Sequence, residues 1–386
     1  MGLAVVVGAG IGGLAAAVGL RRRGWDVVVL ERAPQFAPVG AGLTLMANGL
    51  AALDAIGVGA SVRATVRPLE AMTFRSRGGR VLVRAAMPAD APSCGVHRAT
   101  LHRLLTDALP DDVVRLGAEV TGVVGGSSPE VTYCSADGST TTLPANLLVG
   151  ADGVRSLVRS VLWPEARGPV AVGSTAWRGV TRGPTPLRDA EVSWGPGTEV
   201  GLVPLEDGRV YWYVSVTDDR IGSSRQGGAH ADASALVDGW YAGVVDAVPG
   251  TDPVAVLRTE LVHLRPGPAP WARGAVALLG DAAHAMPPYL GQGANQALED
   301  AAVLAAVVAP DDDVPTALAE YDRRRRPRAT RVARAAVRAG RTGQMVRSAA
   351  AVALRDRAIA LAPAGMLTRA MGGVVRWHAP VMPETR

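Results

Sequence analysis

Aromatic side chains are scarce in this 386-residue chain: they make up 4% of it, and only two are phenylalanine. Cysteine is scarcer still. Cys94 and Cys134 stand far apart and are the only two. That excludes a disulfide framework and a zinc-binding spacing, and fits a reducing cytoplasm. No segment offers the roughly 18 continuous apolar residues of a membrane span. Residues 3–20 are mostly apolar, but glycines interrupt them and the arginine triplet Arg21–Arg23 follows rather than precedes them. A signal peptide is therefore not expected, and a cytoplasmic location is.

Acidic residues fall slightly short of basic ones, giving a net charge of +5. Much of the excess lies in Arg323–Arg328 and the arginines after it. Arg324, Arg328, Arg331, Arg334, Arg338 and Arg341 recur at helical spacing, which predicts a solvated helix face. A nucleic-acid patch is excluded, because no aromatics are interleaved and no binding module is present.

The 48% hydrophobic content and the length allow two domains and a large core. Glycine (46) and proline (27) are plentiful but spread out, marking turns rather than a linker. Leu3–Glu31 reads as strand, tight turn, helix, strand: a βαβ unit of about 30 residues. Residues 40–60 read as a glycine loop followed by a helix. Residues 66–85 read as strands and 97–109 as a helix. Residues 113–150 alternate in strand fashion and end in the buried run "LLVG". From about 167 to 267 the texture is antiparallel sheet, interrupted near 231–248 by a helix. "GAVALLGD" returns to the buried parallel-strand style, and from Gln292 onward the pattern is helical.

The turn "GAGIGG" supplies Gly8, Gly10 and Gly13 between a strand and a helix. This is the dinucleotide fingerprint in its proper context: a sharp turn, close backbone approach to a pyrophosphate, and close helix–strand packing. Glu31, about 20 residues on, is placed to accept from a ribose hydroxyl, which suits NAD or FAD better than NADP. "GADGVRSLVR" (150–159) follows another buried strand. Its Arg155 and Arg159 are available to phosphates or to brace the turn. In "LLGDAAHAMPPYLGQGAN" (278–295), Asp281 ends an apolar run and is expected to be a buried-looking carboxylate. Pro287 and Pro288 stiffen the loop, and Gly291–Asn295 open a helix whose positive end would favour negative charge on whatever lies before it.

Together these stretches resemble the three sequence motifs of the single-component, class A FAD-dependent aromatic hydroxylases, with the para-hydroxybenzoate hydroxylase fold. "HRATLHRLL" and "YDRRRRPRA" are similar to further features of that family, and the resemblance covers nearly the whole chain. It implies an α/β fold with a discontinuous, Rossmann-like FAD-binding domain (1–65, 97–166 and 268–340). It further implies a β-rich substrate domain (66–96 and 167–267) and a helical C-terminal tail (341–386). No extra thioredoxin-like domain is expected.

Carried over residue by residue, the resemblance implies FAD contacts at Gly8, Gly10, Gly13, Glu31, Arg32, Gly42, Arg98, Val120, Asp152, Gly280 and Asp281. Pro288, Gly291, Gln292, Gly293, Ala294 and Asn295 complete that set, and the segment Val39–Asn48 would line the movement of the ring. It implies transient use of NADH or NADPH, reaction with O2, and hydroxylation of an aromatic or polyketide-like molecule through a C4a-hydroperoxyflavin. Epoxidation or reduction on the same fold, and a non-enzymatic flavin-binding protein, are the alternatives; halogenation is disfavoured because "WxWxIP" is absent. Pro287, Pro288, Tyr211, Tyr213 and Arg178 are the expected catalytic wall. Strand alternation puts Tyr211 and Tyr213 on one face and Trp212 on the other. Trp194, Met286 and Tyr289 are candidate substrate contacts. His284 is read as a loop brace, and His97 similarly. A small-molecule substrate is expected, with no nucleic acid, no membrane span, no metal, and a monomeric or homodimeric state.

Overall fold

The computed structural model describes residues 2–36, 41–220, 228–265 and 267–383. Its first layer grows from the β-branched run Leu3–Val7, whose side chains are buried on both faces. This strand pairs in parallel with Asp26–Glu31 on one side and Leu147–Gly150 on the other. Val276–Leu278 and Val114–Leu116 extend the sheet in parallel, and Ala272–Arg273 adds a short antiparallel edge. Because the five main strands run the same way, Val7, Glu31, Gly150 and Leu278 end along one edge. The motifs that follow them in sequence are thereby gathered there. Helices Ile11–Arg22 and Gly293–Val307 pack on this sheet and share its core.

The second layer is a seven-stranded sheet in the order Leu257–His263, Val170–Val180, Val210–Thr217, Thr198–Pro204, Ala190–Gly195, Ala71–Ser76, Val81–Ala86. Its pairs are antiparallel, except that Ala190–Gly195 runs parallel to Ala71–Ser76. One face carries Trp177, Trp212 and Val214, which are covered by helices Gly228–Leu236 and Ala242–Ala247. The opposite face carries Arg178, Tyr211 and Tyr213, as the alternation of "RVYWYVSV" requires; Arg178 and Tyr213 are cross-strand partners. A two-stranded ribbon, Gly42–Leu45 with Cys94–His97, lies against that inner face: a side chain at Gly42 would meet the Tyr211 ring at 2.6 Å.

Three expectations are corrected. Residues 40–60 are not a loop and one helix; the described part contains the ribbon strand Gly42–Leu45 and helices Ala47–Ala55 and Gly59–Thr65. Four residues cannot announce a strand by periodicity, and here pairing with Cys94–His97 decides it. The interruption near 231–248 is two helices rather than one. The arginine-rich stretch lies on the long helix Val314–Thr342, where Arg324, Arg331, Arg334, Arg338 and Arg341 are exposed as expected. Arg325, however, is 1% exposed and Arg328 is turned inward. Val39 and Gly40, of the segment expected to line ring movement, lie outside the described residues. Among the described residues no helix is long and apolar enough to cross a membrane, and no cluster of His, Cys, Asp and Glu could hold a metal.

Candidate active site at the sheet edge and the inner wall

The glycine turn is built as its sequence requires. Gly8 has φ +101°, a left-handed conformation that other residues rarely adopt. A Cβ on Gly13 would stand 1.9 Å from the Gly8 carbonyl oxygen. Around a Cβ on Gly10, by contrast, there is nothing within 4 Å. The turn is therefore closed against the protein and open outward, which is the shape a pyrophosphate needs. Glu31 is fixed by accepting from the backbone N–H of Ala9 (2.8 Å) and Ala33 (2.9 Å), and each oxygen keeps a lone pair. His102, held neutral by burial, donates to the Ala9 carbonyl at 2.8 Å and braces the same turn. Arg32 and Arg98 are exposed, and Val120 lies half-buried on the Glu119–Val124 strand. His97 caps the helix Arg98–Thr106, accepting from Ala99 N–H at 3.2 Å.

At the next strand end, Asp152 accepts from Val158 N–H through Oδ2 (3.1 Å), while its buried Oδ1 has no protein partner. Burial pushes this carboxyl above its ordinary range despite the hydrogen bonds from Ser156 and Val158. An orphaned buried oxygen beside an open glycine cradle fits a polar dinucleotide. Of the two arginines, Arg155 is exposed and Arg159 is the brace: it donates to Val154 O (2.7 Å) and Ala282 O (2.9 Å), tying two strand-end loops together. Asp281 corrects an expectation, for it is exposed rather than buried, at the first position of a short helix, Asp281–His284. The apolar run ends at Gly280, so Asp281 faces out along the same edge as Asp152.

The helix mouth is rigid. Asn295 accepts from Met46 N–H (3.0 Å) and donates to Thr44 O (3.0 Å) and Gly291 O (2.9 Å), stitching the ribbon to helix Gly293–Val307. Gln292 donates to Met46 Sδ (3.0 Å) and accepts from Asn48 (2.9 Å). Both side chains are therefore engaged within the protein, leaving the backbone of Gly291, Gly293 and Ala294 to meet a ligand. Below them sits a buried ionic cluster that the sequence did not reveal. Arg325 donates to Asp300 (2.7 Å) and pairs with Glu299, Arg328 pairs with Glu299 (2.6 Å), and His284 meets Asp300 at 2.5 Å. His284 is thus a brace, as expected. Burial alone would raise Asp300, but His284 and Arg325 outweigh it and hold the carboxyl below its usual range.

The inner wall faces this mouth across the ribbon. Burial pushes the Tyr211 phenol up, with the nearby Arg178 guanidinium opposing it, and the rings of Tyr211 and Tyr213 lie 6.2 Å apart. Glu199, not singled out by sequence, accepts from Tyr213 Oη (2.9 Å) and Trp194 Nε1 (2.8 Å). Its only signal was one carboxylate in the otherwise apolar strand "TEVGLVP". Trp194 stacks on Phe74 at 5.4 Å. In the loop, Pro287 is buried, Pro288 exposed, and Met286 and Tyr289 half-buried. Tyr289 packs across Gly340. Gln344, also missed, is fully buried between them: in the amide orientation that satisfies its neighbours it donates to Tyr289 Oη (2.8 Å) and accepts from Thr217 N–H (3.2 Å).

The chain matches the family model described as "FAD binding domain" over residues 3–336. It is 36% identical over 357 residues to the aurachin C monooxygenase/isomerase of Stigmatella aurantiaca, covering 89% of this chain and 90% of that one. It is 34% identical over 316 residues to the 2-heptyl-3-hydroxy-4(1H)-quinolone synthase of Pseudomonas aeruginosa, covering 78% and 79% respectively. Among solved structures, Klebsiella pneumoniae HpxO complexed with FAD and uric acid superimposes with a TM-score of 0.86 at 27% identity, over 97% of this chain and 96% of that one.

Proposed function

The chain belongs to the FAD-binding-domain family of FAD-dependent aromatic hydroxylases, and from that premise we propose that its substrate is a neutral, planar ring bearing an N–H or O–H group, held by the Arg178–Tyr211–Tyr213 wall. The monooxygenase uses FAD, with NAD(P)H and O2 as the co-substrates of its class. The observation that carries the substrate reading is the wall itself: one guanidinium, two phenols and a buried carboxylate set among apolar residues. Such a surface suits a flat ring with a few polar edges. Uric acid and a 4(1H)-quinolone, named for two similar proteins, are flat fused rings that carry N–H groups.

The strand-end motifs support the same division of labour. The seven-stranded sheet with the 66–96 and 167–267 segments forms the substrate domain; residues 1–65, 97–166 and 268–340 form the cofactor domain; and 341–386 are the tail. Gly8–Gly13 and Glu31 take the adenosine end of FAD, and Asp281 takes hydroxyls of its chain. Gly280, Asp152, Arg32, Gly42, Arg98 and Val120 line its path, and the backbone at Pro288, Gly291, Gly293 and Ala294 meets the ring. Gln292 and Asn295 hold that backbone in place. When bound, the flavin supplies the reducing equivalents and the oxygen-transfer chemistry. The chain's own residues orient the ring and exclude water. Pro287 and Pro288 bound the space, while Met286, Tyr289 and Trp194 shape it. The protein acts in the cytoplasm as a monomer or homodimer, without nucleic acid.

The test is flavin absorbance of the purified protein, then NADH and NADPH oxidation with a panel of phenols, quinolones, purines, benzoates and alkenes. Stimulation by neutral N–H or O–H rings is expected. Stimulation by alkenes or benzoates alone would overturn the substrate reading. Asp281→Ala is expected to weaken FAD binding by about 1.5–3 kcal/mol, the value of a hydrogen bond to a charged group. Unchanged FAD affinity by fluorescence titration would remove Asp281 from the site.

A further inference from the structure

Pro287 and Pro288 carry no N–H, so the middle of their loop has few backbone donors to tie it down. Between Met286 and Leu290 the one polar side chain is the phenol of Tyr289. It is held from two sides. Its ring lies across Gly340 of the long helix, where a Cβ would collide with it. Its hydroxyl accepts from the Gln344 amide at 2.8 Å and donates to Ser174 Oγ at 3.5 Å. Ser174 in turn donates to the Gln344 side-chain carbonyl at 3.1 Å, which closes a circuit of three side chains.

The far side of the circuit is fixed. Gln344 also donates to Ser215 Oγ (3.0 Å) and accepts from the backbone N–H of Val216 (3.3 Å) and Thr217 (3.2 Å). Ser174, Ser215 and Thr217 are buried with it. The backbone around Gln344 is pinned as well: Gly197 N–H donates to Val346 O at 2.8 Å, and Arg355 donates to Gly343 O at 2.9 Å. Only the Tyr289 end belongs to a loop.

We propose that Gln344 is a positioning residue: through Tyr289 it latches the proline loop to the substrate sheet and so shuts solvent out of the flavin's space. The consequence is chemical. Two electrons leave NAD(P)H and reach O2. With a substrate ring in place, one oxygen atom enters the product and the other leaves as water. Where water intrudes first, NAD(P)H, O2 and a proton end as NAD(P)+ and hydrogen peroxide. Excluding water suppresses that side reaction. The phenol suits the task. Burial pushes it up to about 12, helped by Glu199 and Asp218 and opposed by Ser174, so it keeps the proton it donates. The inference rests on the placement of FAD proposed above, which flavin absorbance and the Asp281→Ala titration test on their own.

The experiment compares the wild type with Tyr289→Phe, Gln344→Leu and Gly340→Ala. Ser348→Ala is the control, since it removes only the cap of helix Ala349–Leu361. Potassium iodide, by quenching flavin fluorescence, probes access to the bound FAD. Hydrogen exchange of the FAD-free protein reports on residues 285–292. In Tyr289→Phe and Gln344→Leu the quenching constant should rise about twofold or more, and those amides should exchange about fivefold faster, the factor one lost hydrogen bond supplies. Gly340→Ala should do the same by pushing the phenol off the helix, although alanine is the better helix former. Ser348→Ala should change neither. A merely structural role for Gln344 would lower the thermal midpoint without admitting iodide. With any ring from the panel above that speeds NAD(P)H oxidation, the hydrogen peroxide formed per NAD(P)H should at least double in the latch variants, with KM little changed. Wild-type quenching and exchange in Tyr289→Phe, an equal rise in Ser348→Ala, or an unchanged peroxide yield would each overturn the proposal. If no ring is accepted, the aromatic-substrate reading fails alone, and iodide and exchange still decide on the latch. Should Gln344→Leu fail to fold, Tyr289→Phe and Gly340→Ala carry the comparison.

Discussion

Replacing Arg325 with methionine is expected to destabilise the protein by about 3–5 kcal/mol, the cost of stranding buried charges. Arg325 is 1% exposed and donates to four acceptors: Asp300 Oδ1, Glu299, the Gln296 carbonyl and the Gln296 side chain. Methionine fills similar space and supplies none of those donors. Arg328 still holds both oxygens of Glu299 and His284 one oxygen of Asp300, so the fold should survive at 25 °C with a lower urea midpoint. The pH dependence has a definite sign. Asp300 is depressed in the folded state, so its contribution is complete above the unfolded value of about 4 and is lost as pH falls through the folded one. Without Arg325 the burial penalty on Asp300 is less opposed, so the variant's acid limb should be shallower than that of the wild type. A midpoint within about 1 kcal/mol of the wild type, or an unchanged acid limb, would show that the cluster contributes little.

Gly10→Val and Gly13→Val should separate cofactor binding from folding. At Gly10 the backbone has φ −67°, which any residue adopts, and the space around a Cβ is open. Valine there should leave the thermal midpoint of the FAD-free protein within about 1 °C, roughly the shift that 1 kcal/mol would produce in a chain this size. It should nevertheless raise the FAD dissociation constant on the order of a hundredfold, a loss of roughly 2.7 kcal/mol. At Gly13 the methyl groups would collide with the Gly8 carbonyl, so both FAD binding and the fold should suffer. Circular dichroism and flavin fluorescence distinguish the two. FAD binding unaffected by Gly10→Val would mean that the open cradle is not where the pyrophosphate sits.

The parallel layer was legible in the sequence because its signals are local: β-branched runs between glycine turns, with Glu31 and Asp152 at the strand ends. The inner wall was half legible. Alternation placed Tyr211 and Tyr213 together and Trp212 on the far side, where its indole meets Thr251 at 2.7 Å. Glu199 and Gln344 were not legible, because their meaning depends on partners 14 and 129 positions away. Arg325 was hidden differently. In the run Arg323–Arg328 two side chains, Arg325 and Arg328, face inward, and only the neighbouring helix decides which. Asp281 was misjudged for the opposite reason: an apolar run before a carboxylate reads as burial, although the strand had already ended.

The long helix Val314–Thr342 touches both halves of the site. Near its middle Arg325 anchors the floor beneath the helix mouth; just past its end Gln344 grips the inner wall. From 325 to 344 an α-helix would extend about 28 Å. It acts as a tie-rod between cofactor platform and substrate wall. Changing the gap between them requires bending this rod or releasing one of its ends, so the distance at which a ring meets the flavin is fixed as much by residues remote from the cavity as by those that line it.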